Sequence, residues 1–134
     1  MPVADTELLF LLNPKDPRHN KALKVLEGLK GRLFVPDVAL LEFEITLKSR
    51  GRRNSEIRLA LLALKEIFET YNVVEVETLN TLALTKHLEI MDNYGLSFFD
   101  SLIAAATLSV DGIVVSDDRD FDSVPEIKRI PITH

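Results

Sequence analysis

The feature that most constrains this chain is an alternation. Short apolar or β-branched runs recur along it, at about 2–4, 32–35, 73–76 and 112–115, with a last short strand near 128–130. Segments of helical periodicity separate them. Ala22, Leu23, Leu26 and Leu29 share one face, as do Ile57, Leu61, Leu64, Ile67 and Phe68. Helices are expected at about 6–12, 17–29, 37–49, 54–71, 78–93 and 97–110, with Thr78 as the N-cap of the fifth. Strands this short and apolar have no polar face to turn to water. Placed between helices, they indicate an α/β fold with three α/β/α layers, whose central, mostly parallel sheet is covered on both faces and joined by right-handed crossovers. With 134 residues and no linker, repeat or low-complexity tract, the chain reads as one domain over 1–134.

Composition removes several chemistries. The absence of cysteine excludes disulfides, thiolate zinc sites and a Cys nucleophile. His19, His87 and His134 are scattered without metal-ligand spacing and read as polar side chains at the surface. The N-terminus has no basic region before its apolar run, and no apolar stretch reaches the roughly 18 residues of a membrane span. The expectation is a soluble, cytoplasmic protein. A net charge of −5 opposes a nucleic-acid partner overall. Locally, however, Lys48, Arg50, Arg52 and Arg53 meet only Glu56. That segment reads either as a solvated turn or as a phosphate-contacting patch.

Carboxylates occupy telling positions. Asp5 follows the first strand and Asp118 follows the run at 112–115. In such sheets sites gather outside the C-terminal strand ends, where strand order reverses, so the two acids meet if their strands are neighbours there. Each has a plainer reading. Asp5 suits an N-cap, and Asp117, Asp118 and Asp120 suit a polar turn. Ser97 and Asp100 match a capping pattern, which also points Asp100 out past a helix start. Glu42 is harder to explain away. At 100° per residue it shares a stripe with Val38, Ile45, Thr46 and Ser49, whereas Glu44 stands four residues before Lys48 and suits a surface ion pair. Acids gathered without counter-charge call for a hard divalent cation with oxygen ligands, such as Mg2+.

Together these motifs carry a resemblance. Asp5-Thr6 resembles the opening Asp-Thr of PIN-domain nucleases, and Leu40-Leu41-Glu42-Phe43 resembles that family's Glu-bearing helix. The segment from Gly95 to Ala106 is similar to its Asp-bearing segment. Ile113-Val114-Val115-Ser116-Asp117-Asp118-Arg119-Asp120-Phe121 resembles its closing strand and acidic turn. The resemblance spans almost the whole chain in the correct order.

It implies an Mg2+- or Mn2+-dependent endoribonuclease that hydrolyses RNA phosphodiester bonds and leaves a 5′-phosphate and a 3′-hydroxyl. Asp5, Glu42, Asp100 and Asp118 would be the catalytic acids. Asp5, Asp100 and Asp118 would hold metal directly or through water, with Thr6, Ser116 and Asp120 in support. Arg50, Arg52 and Arg53 would contact flanking RNA. Glu7 departs from the family pattern, in which small Ser-like residues are common at that position. A homodimer is implied. The size suits the toxin of a VapBC-type pair with an antitoxin partner; a PIN nuclease of RNA processing or quality control suits it nearly as well. A catalytically silent, protein-binding PIN-like module conflicts with the intact acid set. A receiver-like phosphoacceptor domain needs an Asp after a central strand, where this chain has Glu77-Thr78.

Overall fold

The structure is a computed structural model describing residues 1–133; His134 lies outside the described residues. Five strands form its sheet: β1 (Val3–Ala4), β2 (Phe34–Pro36), β3 (Val74–Val76), β4 (Ile113–Val115) and β5 (Lys128–Ile130). Their spatial order is β3-β2-β1-β4-β5, and every described pairing is parallel. The helices are α1 (Thr6–Leu11), α2 (His19–Gly28), α3 (Asp37–Ser49), α4 (Asn54–Tyr71), α5 (Thr81–Tyr94) and α6 (Phe98–Val110), with a 3-10 turn at Arg119–Ser123. They flank the sheet as the three-layer α/β/α architecture requires. The chain fills one side of β1 with β2 and β3, then crosses to the other with β4. Strand order therefore reverses between β1 and β4.

The centre of the sheet is dry. Val3, Ala4, Val114 and Val115 are all fully buried. Residues 101 to 107 of α6 are buried too, and their run of three alanines lets this helix lie close to its neighbours. Among the described residues no buried side-chain nitrogen or oxygen lacks a hydrogen-bond partner. No described helix is long and apolar enough to cross a membrane.

Three local expectations are corrected. Thr78 does not cap α5. Its hydroxyl donates to Asp37 Oδ1 at 2.7 Å, so the helix starts only after the chain clears that contact, and Asn80 caps it by accepting from the Ala83 N–H at 2.8 Å. His87 does not face solvent. It is 2% exposed, with Nδ1 2.9 Å from Ser101 Oγ. The Ser101 hydroxyl proton goes to the Phe98 carbonyl at 2.7 Å, so His87 is the donor to Ser101, and burial keeps its imidazole below the ordinary pKa. Glu44 makes no ion pair with Lys48 among the described residues; it is half-buried and lines a groove with Leu40, Leu41 and Leu61. Such surface pairs are worth little, and nothing else draws this one closed.

Asp37 ties two crossovers together. From the first turn of α3 its carboxylate accepts the N–H groups of Val38 (3.0 Å), Thr78 (3.0 Å) and Leu79 (3.2 Å), besides the Thr78 hydroxyl. Burial pushes its carboxyl up, but the hydrogen bonds from Thr78, Leu79 and Val38 outweigh this and hold it below the ordinary value. A carboxyl lowered in the fold contributes stability above its unfolded pKa, and this is lost as pH falls through the folded value. Asp37→Ala leaves buried donors unsatisfied and should cost about 1–3 kcal/mol in urea unfolding at neutral pH. The gap from wild type should narrow below pH ~4, the ordinary carboxylate value. An equal gap at pH 7 and pH 3 would refute this account of Asp37.

Candidate active site

The point where strand order reverses is where the acids collect. The Asp5 N–H donates to the Val115 carbonyl at 3.1 Å, extending the β1–β4 ladder by one residue and fixing Asp5 at the strand end. Asp5 then N-caps α1, its Oδ1 accepting the Thr6 N–H at 2.8 Å. Its Oδ2 accepts the Ser116 hydroxyl at 2.6 Å. The same Ser116 Oγ accepts the Asp118 N–H at 3.0 Å, so one buried hydroxyl joins the segments that follow β1 and β4. Asp118 caps the 3-10 turn by accepting the Asp120 N–H at 2.9 Å. Asp100 stands in the first turn of α6, behind its N-cap Ser97. Glu42 reaches in from α3, and its Oε1 accepts the Thr6 hydroxyl.

Asp5, Glu42, Asp100 and Asp118 line one cleft of about 420 Å³, with Thr6, Glu7, Phe10, Asp16, Arg18 and Arg50 among its other walls. Asp100, Asp118 and Asp120 each place a carboxylate oxygen within 4.8 Å of the other two. No ion pair is formed by these three among the described residues. Three converging oxygens of a hard donor type, uncompensated by any cationic side chain, fit a divalent cation with oxygen ligands. Asp5 lies in the same cleft, but the converging trio contains Asp120 in its place. Both Asp5 oxygens already accept hydrogen bonds.

The electrostatics match this crowding. Asp5 is only 5% exposed, and its pKa is pushed up to about 7. Burial is the main cause; Ser116 and Thr6 pull the other way, while Asp100 and Glu42 add repulsion. The Asp100 pKa is pushed up to about 6, again chiefly by burial, with Asp118, Glu42 and Asp120 repelling and Ser97 opposing. These carboxylates hold protons far more readily than free ones, because burial and mutual repulsion outweigh the hydrogen bonds they accept.

The structure also sorts the residues that sequence could not rank. Asp117 turns toward the C-terminal segment, where it accepts the N–H groups of Ile132 (2.7 Å) and Thr133 (3.1 Å) and the Thr133 hydroxyl (2.8 Å). Glu7, the departure from the family pattern, accepts the Asp117 N–H at 3.1 Å and faces Arg18 at 3.6 Å. Two arginines escaped the sequence reading. Arg129 clamps Asp122 through two nitrogens and donates to the Ser116 carbonyl at 3.2 Å, bracing the acidic turn from behind. Arg18 lines the cleft itself. Neither lies in a motif, so only the folded chain shows them. The basic segment divides as well. Arg50 lines the cleft, whereas Arg52 and Arg53 pair with Glu56 at the start of α4.

Comparison with known proteins agrees with the geometry. The PIN domain family model matches residues 3–127. No curated protein matches the chain in sequence. Among similar solved structures is VapBC2 from Rickettsia felis bound to a DNA fragment from its promoter, 16% identical over 96% of each chain with a TM-score of 0.71. The sarcin-ricin loop cleaving toxin VapC20 of Mycobacterium tuberculosis is 19% identical over 92% of this chain and 94% of that one, also at 0.71. FitAcB from Neisseria gonorrhoeae is 14% identical over 100% of this chain and 99% of that one, at 0.72. At such identities the likeness to these structures is one of fold. The match of the family model over nearly the whole length is what identifies the chain: it belongs to the PIN-domain family.

Proposed function

We propose that this chain is a metal-dependent endoribonuclease that hydrolyses RNA phosphodiester bonds and serves as the toxin of a VapBC-type pair. The observation that carries the reading is the single cleft holding Asp5, Glu42, Asp100 and Asp118, with Asp100, Asp118 and Asp120 converging without counter-charge. Family membership supports the nuclease reading. The toxin reading draws on structural neighbours described as VapBC complexes or as a loop-cleaving toxin.

Asp100 and Asp118 would hold Mg2+ or Mn2+, joined by Asp120 directly and by Asp5 directly or through water. Bound there, the ion would supply Lewis acidity toward a phosphate oxygen and acidify a coordinated water. The protein's own groups do the rest. Ser116 and Thr6 fix the Asp5 carboxylate from both sides, leaving its remaining lone pairs to the cleft. Glu42 spends one oxygen on the Thr6 hydroxyl, so Oε2 is left for a water. Water attacks phosphorus in line, giving a proton to Glu42 Oε2, as the bond to the 3′-oxygen breaks; that oxygen takes a proton from solvent and leaves as the 3′-hydroxyl while the 5′-phosphate stays on the other fragment. Of the basic segment Arg50 supplies positive charge for flanking RNA from the cleft wall, whereas Arg52 and Arg53 are taken up by Glu56. Unneutralised, the acids would repel the phosphate, so the reading requires the cation.

Wild type should cleave RNA with Mg2+ or Mn2+, and chelation should abolish the cleavage. Asp5→Asn and Asp100→Asn should each lose at least roughly 100-fold in rate, beyond what removal of a merely supporting group costs. Equal cleavage by wild type and both variants would assign the activity to a contaminant.

The raised carboxyls give a second test. Near pH 6.5 Asp5, at about 7, and Asp100, at about 6, are partly protonated in the metal-free protein. An oxygen-ligated cation needs them ionised, so binding releases protons and affinity climbs as pH rises through this window. Calorimetry in buffers of different ionisation enthalpy should show net proton release at pH 6.5 that fades above about pH 8. Zero release at pH 6.5 would remove these two acids from the binding site.

Two partners complete the reading. On α5 Leu82 is 80% exposed and Leu88 54%, and Phe98 at the start of α6 is also 54% exposed; a second copy would cover such side chains. A cavity of about 720 Å³ between α1, α3 and α4, lined by Leu9, Phe43, Leu47, Leu64 and Ile67, suits apolar side chains of an antitoxin. Sedimentation at micromolar concentration should give a dimer for wild type and a monomer for Leu82→Asp. A small antitoxin gene is expected beside this one, and its product should bind wild type and stop cleavage. A monomeric wild type refutes the dimer, and a neighbour that neither binds nor inhibits refutes the toxin assignment.

A further inference from the structure

We infer that Arg50, alone among the arginines of the basic segment, is a substrate-binding residue of the cleft, its guanidinium docking the RNA phosphate next to the scissile one. The inference rests on the ribonuclease reading and makes it specific.

The cleft has two cationic side chains in its lining, Arg18 and Arg50. Arg18 is compensated. Its Nε lies 3.4 Å from Asp16 and its Nη1 3.6 Å from Glu7. Arg50 shares the cleft with six carboxylates yet forms no ion pair among the described residues. A flexible arginine beside acids ordinarily folds onto one of them, so something holds this one back. It is the ring of Phe10. The guanidinium carbon stands 4.9 Å from that ring's centroid, and Phe10 is itself packed against Phe43, with ring centroids 4.8 Å apart. The backbone is held as well, because the Arg50 N–H closes α3 by donating to the Thr46 and Leu47 carbonyls at 3.1 and 3.2 Å.

A cation–π contact with a ring leaves N–H donors of a guanidinium, which has five, for another partner. Those donors match two oxygens of one phosphate. Arg52 and Arg53, by contrast, are engaged by Glu56 at 3.9 and 3.4 Å at the first turn of α4. Charge in the cleft is thus divided. The acids at its centre suit a cation, and the one uncompensated arginine at its edge suits an anion. A phosphodiester strand passing over the centre carries an anion on either side of the reacting one. The cation takes the reacting phosphate and Arg50 takes its neighbour.

The test is binding of a short, fluorescently labelled single-stranded oligoribonucleotide in Mg2+, read by anisotropy over a salt series, in the Asp100→Asn background where cleavage is suppressed. Adding Arg50→Ala should weaken binding several-fold and lower the log–log salt slope by about 0.7, the share of one single-strand phosphate contact. Arg50→Lys should keep the slope and recover part of the affinity. Arg53→Ala should change neither. On the otherwise wild-type enzyme, Arg50→Ala should raise KM more than it lowers kcat. Thermal melts of the Ala and Lys variants control for folding, since Arg50 is exposed. A slope unchanged by Arg50→Ala, with wild type still cleaving RNA, overturns this inference and leaves the ribonuclease reading standing. A wild type that neither binds nor cleaves RNA overturns both.

Discussion

The pairing of β1 with β4 is the contact on which the site depends. Val3 and Ala4 lie opposite Val114 and Val115, with no water between them and the helices above and below. That register sets Asp5 level with Ser116, and the Asp5 N–H to Val115 carbonyl bond locks it there. Because β1 is also the strand where sheet order reverses, the crossovers leave an open crevice at this spot. Slipping the register by one residue would turn every side chain to the opposite face and send Asp5 into the apolar layer. The site's precision is therefore a property of four buried aliphatic side chains that touch no substrate.

Bringing acids together at such a point costs free energy, and the structure shows how the cost is limited. Ser116 is the joint. It donates to Asp5 and accepts from the Asp118 N–H, so the segments after β1 and β4 meet through a neutral hydroxyl. Thr6 does the same between Asp5 and Glu42, giving its N–H to one and its hydroxyl to the other. Neutral donors soften the repulsion without cancelling the charge, which a lysine or arginine at these positions would do. The remaining strain appears as the raised proton affinity of Asp5 and Asp100.

Much of this was legible in the sequence, and the parts that were not share a cause. The alternation of short apolar runs with helical segments pointed to the three-layer parallel fold, because the apolar inner strands β1, β2 and β4 have nowhere to go but between two layers, while the charged strands β3 and β5 take the edges. The helical stripe distinguished Glu42 from Glu44, and the crossover rule placed Asp5 beside the turn after β4. Thr78, His87, Arg18 and Arg129 were not legible. Each is decided by a partner outside its own helix or strand: Asp37 takes the Thr78 hydroxyl, Ser101 takes the His87 donor, Glu7 faces Arg18, and Asp122 holds Arg129 beside Ser116. Local pattern fixes what a residue can do, whereas tertiary contact decides which option it takes. The same limit applies within the acidic turn. Asp117, Asp118 and Asp120 look alike in sequence and separate only when Ile132 and Thr133 arrive to occupy Asp117.

The distribution of ion pairs carries the last step. At the periphery of the cleft, charges are matched: Arg18 with Asp16 and Glu7, Arg129 with Asp122, Arg52 and Arg53 with Glu56. At its centre they are not. The chain has 16 Lys and Arg against 21 Asp and Glu, so cations were available to neutralise the middle. A fold optimised for stability alone would place one there or replace the acids with apolar side chains, since unpaired buried carboxylates cost several kcal/mol. Here the deficit is confined to one crevice, while the one arginine that reaches its edge without a carboxylate partner is parked on a phenyl ring. Centre and edge are thus left incomplete in opposite senses, one lacking a cation and the other an anion. A divalent ion and a phosphodiester, arriving together, would supply both.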